Sequence, residues 1–530
     1  MSSILTNTSS MVALQTLRGI NSSLEQTQAE ISTGKSVGSA RDNSAIWAIS
    51  KVMESDVRGF KAISESLSLG DSTVAVARNG SETVTDLLVQ MKEKIVGAQE
   101  ENVDQEKLQA DIAALTDQIS SVVGAAQFNG LNLLSGTEDV NVLSSLDRSS
   151  TGDVAASDIT VARQDLTFDD GVMGTGASLV GGAAITAGDA AVTGGNVTVQ
   201  AGAGQNFDAS STRDFSNAAN GMAVTIGGTV AADDVFNLQV AGQTVSFTAT
   251  TTVTDDVAAG LTAALNAAGI EDVTAEVAGS VITINSTSAF EDIEVNGSTT
   301  GSGTFSADFE GVTVPAAPAS SFTGAVIEDR SSEVVFSATS GVSEGDGYRV
   351  SVGGTNYDYI AGKGETFEDV ARGLKIAIDG AGLSDISTNV YQDEATGAWT
   401  LQVDNDGAAL ALAVDGLADG EATGGLAGLD DIDVTTAEGV EAALANIETY
   451  IDTAIGAAAA FGSVEGRIET QSEFISNLTD SLTTGIGSLV DADMEAASAR
   501  LQALQVQQQL GIQSLSIANQ APQSILSLFG

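Results

Sequence analysis

Twelve residues spaced seven apart, Val440, Ile447, Ala454, Phe461, Ile468, Ile475, Leu482, Leu489, Ala496, Ala503, Leu510 and Ile517, are all apolar in a chain that is 42% apolar overall. Seven residues are two turns of α-helix, so such a ladder commits one helical face to a partner along its length. The other end of the chain follows the same rule. Steps of three and four from Ile46 reach Ile49, Met53, Asp56, Phe60, Ile63, Leu67, Gly70, Val74, Ala77, Ser81, Val84, Leu88, Met91 and Ile95, of which all but Asp56, Gly70 and Ser81 are apolar. A second helix reads Leu108, Ile112, Leu115, Ile119, Val122, Ala126, and the turn Phe128-Asn129-Gly130 closes this region. A shorter helix comes first, marked by Leu17, Leu24 and Ile31, with a mostly polar neighbouring row of Leu14, Asn21 and Gln28. Only 3 Pro occur in 530 residues, which suits long helices because Pro breaks a helix interior. Gly485 and Gly487 predict a break into two rods, with Asp491 capping the second and Asn519 and Pro522 ending it.

The middle, 141–430, reads differently. It alternates with period two, as in Val235-Phe236-Asn237-Leu238-Gln239-Val240 and Thr244-Val245-Ser246-Phe247, which predicts β-hairpins. It also repeats. Val235–Gly242 followed by Asp255-Asp256-Val257-Ala258-Ala259-Gly260-Leu261 is answered by Tyr348–Gly354 followed by Glu368-Asp369-Val370-Ala371-Arg372-Gly373-Leu374. Each copy predicts hairpin, helix, hairpin, and Pro315 and Pro318 predict a linker between them. The expected fold class is multidomain: an α-helical coiled-coil core built from both terminal regions, with inserted β-rich (α+β) outer domains containing the internal repeat. The expected divisions are 1–40, 41–140, 141–310, 311–434, 435–487 and 488–530.

Charge narrows the function. The net charge is −51, with 20 Lys and Arg against 71 carboxylates. Nucleic-acid binding needs the opposite balance, and an anionic membrane would repel the chain. Between 137 and 434 there are 44 Asp and Glu against 8 Lys and Arg, which reads as a solvated outer surface. The chain has no Cys and no His, so zinc sites, thiol nucleophiles and imidazole bases are excluded. No basic residue precedes Arg18 and no signal-type apolar run follows Met1, so no cleaved secretory signal is expected. No run of 18 apolar residues is present to span a membrane.

Motifs that suggest chemistry fail on their neighbours. Gly34-Lys35-Ser36 resembles the end of a phosphate-binding loop, but Ala29 stands where that loop needs Gly. Asp404-Asn405-Asp406-Gly407 resembles part of a calcium loop, but Gln402 stands where the first carboxylate belongs, so a hairpin turn is expected. The outermost segments, about 1–34 and 490–530, each carry one apolar stripe and little else. Lone helices of that kind are marginal in water, so they are expected to be disordered in the monomer and to fold when many copies pack.

The two ends resemble bacterial flagellins. The marks are Leu14-Gln15-Thr16-Leu17 through Ile31-Ser32-Thr33-Gly34-Lys35, then Ser39-Ala40-Arg41-Asp42-Asn43-Ser44-Ala45, Gln127-Phe128-Asn129-Gly130, and the ending Ala518-Asn519-Gln520-Ala521-Pro522-Gln523-Ser524-Ile525-Leu526-Ser527-Leu528-Phe529. The pattern, including Trp47, looks closer to alphaproteobacterial flagellins.

The resemblance implies a structural subunit, not an enzyme, with no cofactor and no metal. It would leave the cell unfolded through the flagellar type III export apparatus with a chaperone. It would then polymerise with itself and meet hook–filament junction and cap proteins. Leu17, Leu24, Ile31, Ile475, Leu482, Leu489, Leu510, Ile517, Leu526, Leu528 and Phe529 are expected to pack the filament core, and Arg41, Asp42 and Asn43 to make polar subunit contacts. For Asp42 and Asn43 a simple helix-capping turn is an equal reading. Leu87 and Met91 stand where flagellins that activate the innate receptor carry Arg and Leu, which puts activation in doubt. The alternatives are a hook–filament junction protein, or a flagellin carrying a non-metal enzyme or adhesion module in 141–430.

Overall fold

The computed structural model describes residues 7–100, 103–148, 154–181, 198–200, 207–208, 213–215, 219–309 and 312–526. Seven α-helices lie among the described residues: α1 (Thr8–Thr33), α2 (Ser44–Ala98), α3 (Gln105–Ala125), α4 (Thr254–Ala268), α5 (Phe367–Asp379), α6 (Ala437–Val490) and α7 (Met494–Leu526). The α-helical ends and β-rich middle expected of a multidomain chain are both present. By its contacts the chain divides into two units: Met1–Ala75 with Val140–Val161 and Gly462–Gly530, and Val76–Asp139 with Ala162–Phe461.

The α2 seam is buried at Ile63, Leu67, Gly70, Val74, Ala77, Ser81, Val84, Leu88, Met91 and Ile95, whereas of its first steps Ile46, Met53, Asp56 and Phe60 are half-buried and Ile49 is exposed. Glycine enters this seam for a steric reason. A Cβ on Gly70 would lie 2.6 Å from a Val142 methyl, and one on Gly59 2.9 Å from Leu146 Cδ1, so the hairpin Val140–Arg148/Val154–Val161 sits close on the helix at its glycines. The α6 ladder is equally buried at Val440, Ile447, Ala454, Phe461, Ile468 and Ile475.

The break between α6 and α7 lies later than the glycines predicted. Gly485 and Gly487 stay within α6, since an interior Gly costs only about 1 kcal/mol relative to Ala. The second rod is capped by Asp493, whose Oδ1 accepts from the Glu495 and Ala496 N–H groups, and not by Asp491. Asp491 instead bridges to Lys35, and the backbone there is satisfied by Ser36 N–H to Val490 O (2.7 Å) and Ala492 N–H to Gly34 O (2.9 Å). Nor does Pro522 end the last helix, which runs on to Leu526. Pro has no N–H to give Ala518 O, four residues back. Asn7 Nδ2 gives one in its place, at 2.8 Å.

The first repeat is a two-sheet sandwich. One sheet orders Gln243–Thr248, Val235–Val240, Ile293–Thr299 and Ser321–Ile327; the other orders Val273–Ala278, Val281–Ser286, Asn220–Gly228, Gly303–Phe309 and Val312–Ala319, all antiparallel. Its core holds Phe236, Leu238, Ile282, Ile284 and Phe305, with Val257 and Leu261 of α4. Pro315 and Pro318, expected as a linker, lie in Val312–Ala319, an edge strand of this sandwich, where a residue without an N–H is tolerated. The connection to the second repeat is 328–331 instead. The second repeat pairs Gly347–Val352 with Thr355–Ile360 and Leu410–Leu417, and Trp399–Asn405 with Ile386–Gln392 and Ser332–Val335, around α5. The two copies share one detail that explains their common glycine. A Cβ on Gly260 of α4 would lie 2.1 Å from the Phe247 ring, and one on Gly373 of α5 would lie 2.1 Å from the Tyr359 ring.

Candidate assembly surface

Helices α1 and α7 lie antiparallel, fixed by polar pairs along their length. Asn7 reaches Ala518 O, Ser10 Oγ donates to Asn519 Oδ1 at 2.8 Å, Gln508 Nε2 donates to Asn21 Oδ1 at 2.7 Å, and Arg500 stands 4.0 Å from Glu30. Between them, the least exposed row of α1 is Ala13, Leu17, Ile20, Leu24, Thr27 and Ile31, half-buried except for the buried Thr27. Leu17, Leu24 and Ile31 thus lie on the side facing α7, and a Cβ on Gly511 would be 3.0 Å from Leu17 Cδ1. The corresponding row of α7 is Ala497, Leu501, Leu504, Gln508, Gly511, Leu515 and Ala518. Ala13, Ile20, Thr27 and the Asn21–Gln508 pair were not singled out from sequence. Ala13, Ile20 and Thr27 are themselves seven apart, so their signal was a second seven-residue row beside Leu17, Leu24 and Ile31, weakened by the polar Thr27.

The heptad ladder changes character along its length. Ile475 is fully buried and Leu482 half-buried, whereas Leu489, Leu510 (58%) and Ile517 (69%) are exposed. On α1, Met11, Val12 and Leu14 are exposed as well, and on α7 so are Val506 and Ile512. A groove of about 710 Å³ follows this face, lined among others by Val12, Ala13, Thr16, Ile20, Leu510 and Gly511. Leu526 is the last residue of α7, its side chain outside the described set, and Leu528 and Phe529 lie outside the described residues.

Arg41, Asp42 and Asn43 sit together in the exposed turn before α2. Asp42 Oδ2 accepts from the Gly38 and Ser39 N–H groups and the Ser39 hydroxyl, and these bonds, Ser39's above all, hold its carboxyl below the usual range. Asn43 Oδ1 accepts from the Ala45 and Ile46 N–H groups, capping α2. Both side chains are therefore engaged in local turn geometry, and Arg41 is exposed beside them.

A cavity of about 760 Å³ in the second unit is lined by Arg163, Tyr359, Glu365, Asp369, Tyr450 and Thr453, among others. Glu365 Oε2 accepts from Tyr359 Oη and Gly362 N–H, both at 2.9 Å. Burial pushes this carboxyl up to about 7. Among the described residues no group of three His, Cys, Asp or Glu is placed to hold a metal ion, and no described helix is long and apolar enough to cross a membrane.

The chain matches the family model of the bacterial flagellin N-terminal helical region over residues 4–139 and that of the C-terminal helical region over 444–529. Flagellin A of Rhizobium meliloti is 30% identical and flagellin D of Rhizobium meliloti strain 1021 is 31% identical, each aligned over 100% of both chains. Flagellin FljM of Caulobacter vibrioides is 40% identical over 140 residues, 26% of this chain and 51% of that one. Among solved structures, flagellar hook associated protein-3 of Legionella pneumophila aligns at 11% identity and a TM-score of 0.30, covering 83% of this chain and 98% of that one. With both terminal regions matched and relatives aligned from end to end, the chain belongs to the bacterial flagellins, of the alphaproteobacterial type, and is a structural subunit of the flagellar filament.

Proposed function

We propose that the outward apolar face of the α1–α7 pair is the surface through which copies of this chain polymerise. One observation carries the reading: a single heptad ladder is buried from Val440 to Ile475 and exposed from Leu489 to Ile517. Exposed apolar side chains at coiled-coil spacing need a partner, and an interface that does not close on itself yields an open helical fibre. Charge agrees with this. Residues 1–40 carry two acidic and two basic side chains, and 488–530 three acidic and one basic, in a chain of net −51. The assembling ends are thus nearly neutral, and the acidic repeats are the part suited to the filament's outer surface.

The pair is weakly built by itself. Among side chains described on α1 and α7, only Thr27 and Ala497 are buried. Such ends unfold readily in the monomer, which suits passage through the type III export apparatus in company with a chaperone. In the filament, Leu17, Leu24 and Ile31 then hold α1 to α7, and Leu510 and Ile517 meet neighbouring copies. Leu482 and Leu489 mark the change from inner shell to core. Arg41, beside its capped turn, is placed for polar contact with a neighbour, and the tail at Leu526, Leu528 and Phe529 extends the apolar contact. Junction and cap proteins would engage the same face at the filament's two ends.

The test is growth on filament seeds. Purified subunit should extend seeds into long filaments, and a chain lacking residues 494–530 should not. Short rings in place of filaments would favour a junction role and overturn the reading.

A further inference from the structure

The connection 328–331 joins the two repeats, and its neighbours hold it from both sides. Its backbone belongs to the first repeat. Arg330 N–H donates to Ser288 O at 2.8 Å, Ser331 N–H to Ala289 O at 3.2 Å, and Asp329 N–H to Asp292 Oδ1 at 2.9 Å. Asn220 Nδ2 donates to the carbonyls of Glu328 (2.9 Å) and Asp329 (2.6 Å). Its side chains belong to the second repeat. Arg330 makes a two-pronged pair with Asp404, Nε to Oδ1 at 2.8 Å and Nη2 to Oδ2 at 2.6 Å, and its Nη1 reaches Asp406 at 3.1 Å. Gln402 Nε2 donates to Asp329 Oδ2 at 3.1 Å. The Arg330 and Asp404 side chains are only 8% and 3% exposed. A planar guanidinium on a carboxylate in so dry a place fixes direction as well as distance.

Asp329 follows Glu328 beside this pair, its carboxylate accepting from Ser331 N–H (2.8 Å), Ser331 Oγ (2.6 Å) and Gln402 Nε2. Asp292 and Glu333, which Tyr391 Oη also contacts, add like charge, while Arg330, paired to Asp404 and Asp406, is the neighbouring cation. We propose that this linker is a proton-operated seat between the two repeats: mild acid tightens it, and loss of one proton from Asp329 loosens it. The direction follows from burial, which outweighs the Ser331 hydrogen bonds and pushes the carboxyl up to about 6. A buried acid raised in this way disfavours the seated state as pH rises from the ordinary carboxylate range through about 6. If the released linker titrates normally, the release constant rises about tenfold between pH 5.0 and 7.5.

Native-state hydrogen exchange on the full chain reads that constant at the Arg330 and Ser331 amides, after correction for intrinsic exchange and with the core strand Val235–Val240 as internal reference. Protection in the unmodified chain should fall about tenfold from pH 5.0 to 7.5. Asp329→Asn should abolish this slope and, at both pH values, hold protection about tenfold above that of the unmodified chain at pH 5.0, because the released carboxylate is already ionised there. Arg330→Met should lower protection at both pH values and keep the slope. Equal protection at the two pH values, or an unchanged slope in Asp329→Asn, would overturn the proposal.

Discussion

Truncating Ile517 to Ala separates assembly from folding, because 69% of this residue is exposed in the isolated chain. The change removes three carbons, which at about 0.8 kcal/mol per buried methylene is worth about 2.4 kcal/mol on full burial. Only the exposed share is left for a neighbour to cover, so about 1.7 kcal/mol of contact is lost on assembly. That raises the critical concentration for elongation about twentyfold. The monomer should not suffer, since surface changes fall within about 0.5 kcal/mol and Ala is the better helix former. Seeded elongation followed by sedimentation gives the critical concentration, and circular dichroism gives the monomer melt. A critical concentration within twofold of the unmodified chain would refute the assignment of this face. A lowered monomer melt would show instead that Ile517 packs within its own chain.

Ile475→Ala should do the reverse, costing about 2–5 kcal/mol of monomer stability in a urea titration, because Ile475 is fully buried in α6. Gly260→Ala and Gly373→Ala should each destabilise by about 1–3 kcal/mol, and by similar amounts, since each new methyl meets an aromatic ring at 2.1 Å; a neutral result at either site would break the equivalence of the repeats. Glu365→Gln should raise the melting temperature at pH 8 and leave it unchanged near pH 4. The Glu365 carboxyl is pushed up to about 7 by burial, so ionising it costs stability as pH rises from about 4.5 through 7, by about 3 kcal/mol at most. Limited proteolysis of the monomer should trim the terminal helices before the buried α2 seam, and equal resistance would count against a weakly built α1–α7 pair.

Much of the helical architecture was legible because burial and apolarity coincide there. The α2 seam from Ile63 to Ile95 and the α6 ladder from Val440 to Ile475 are one periodic signal read directly as packing. The signal ran out where structure depends on a single hydrogen bond or a steric detail. Two carboxylates two residues apart, Asp491 and Asp493, look alike as caps, and only the backbone path through the bridge at Lys35 selects Asp493. Pro315 and Pro318 signalled a break, yet an edge strand tolerates them. On α7, apolarity points to Leu510 and Ile517, whereas the row turned toward α1 contains Ala497, Gln508, Gly511 and Ala518. Ala497, Gly511 and Ala518 allow close approach of the helices between Leu501, Leu504 and Leu515 of the same row, while Leu510 and Ile517 stay outward. The exposed apolar face was therefore readable as residues but not as a direction. The Asp329–Arg330 seat gave no sequence signal, because its partners Asp404 and Gln402 lie more than 70 positions away.

The bond from Asn7 to Ala518 spans 511 positions of sequence, so a carbonyl inside the last helix is satisfied by an atom from nearly the other end of the chain. Pro522 leaves a gap that α7 cannot fill by itself. The two extremities are made at opposite ends of synthesis, and they form one complete surface only when both have arrived. One proline's missing hydrogen thus becomes a point of attachment between the first helix and the last.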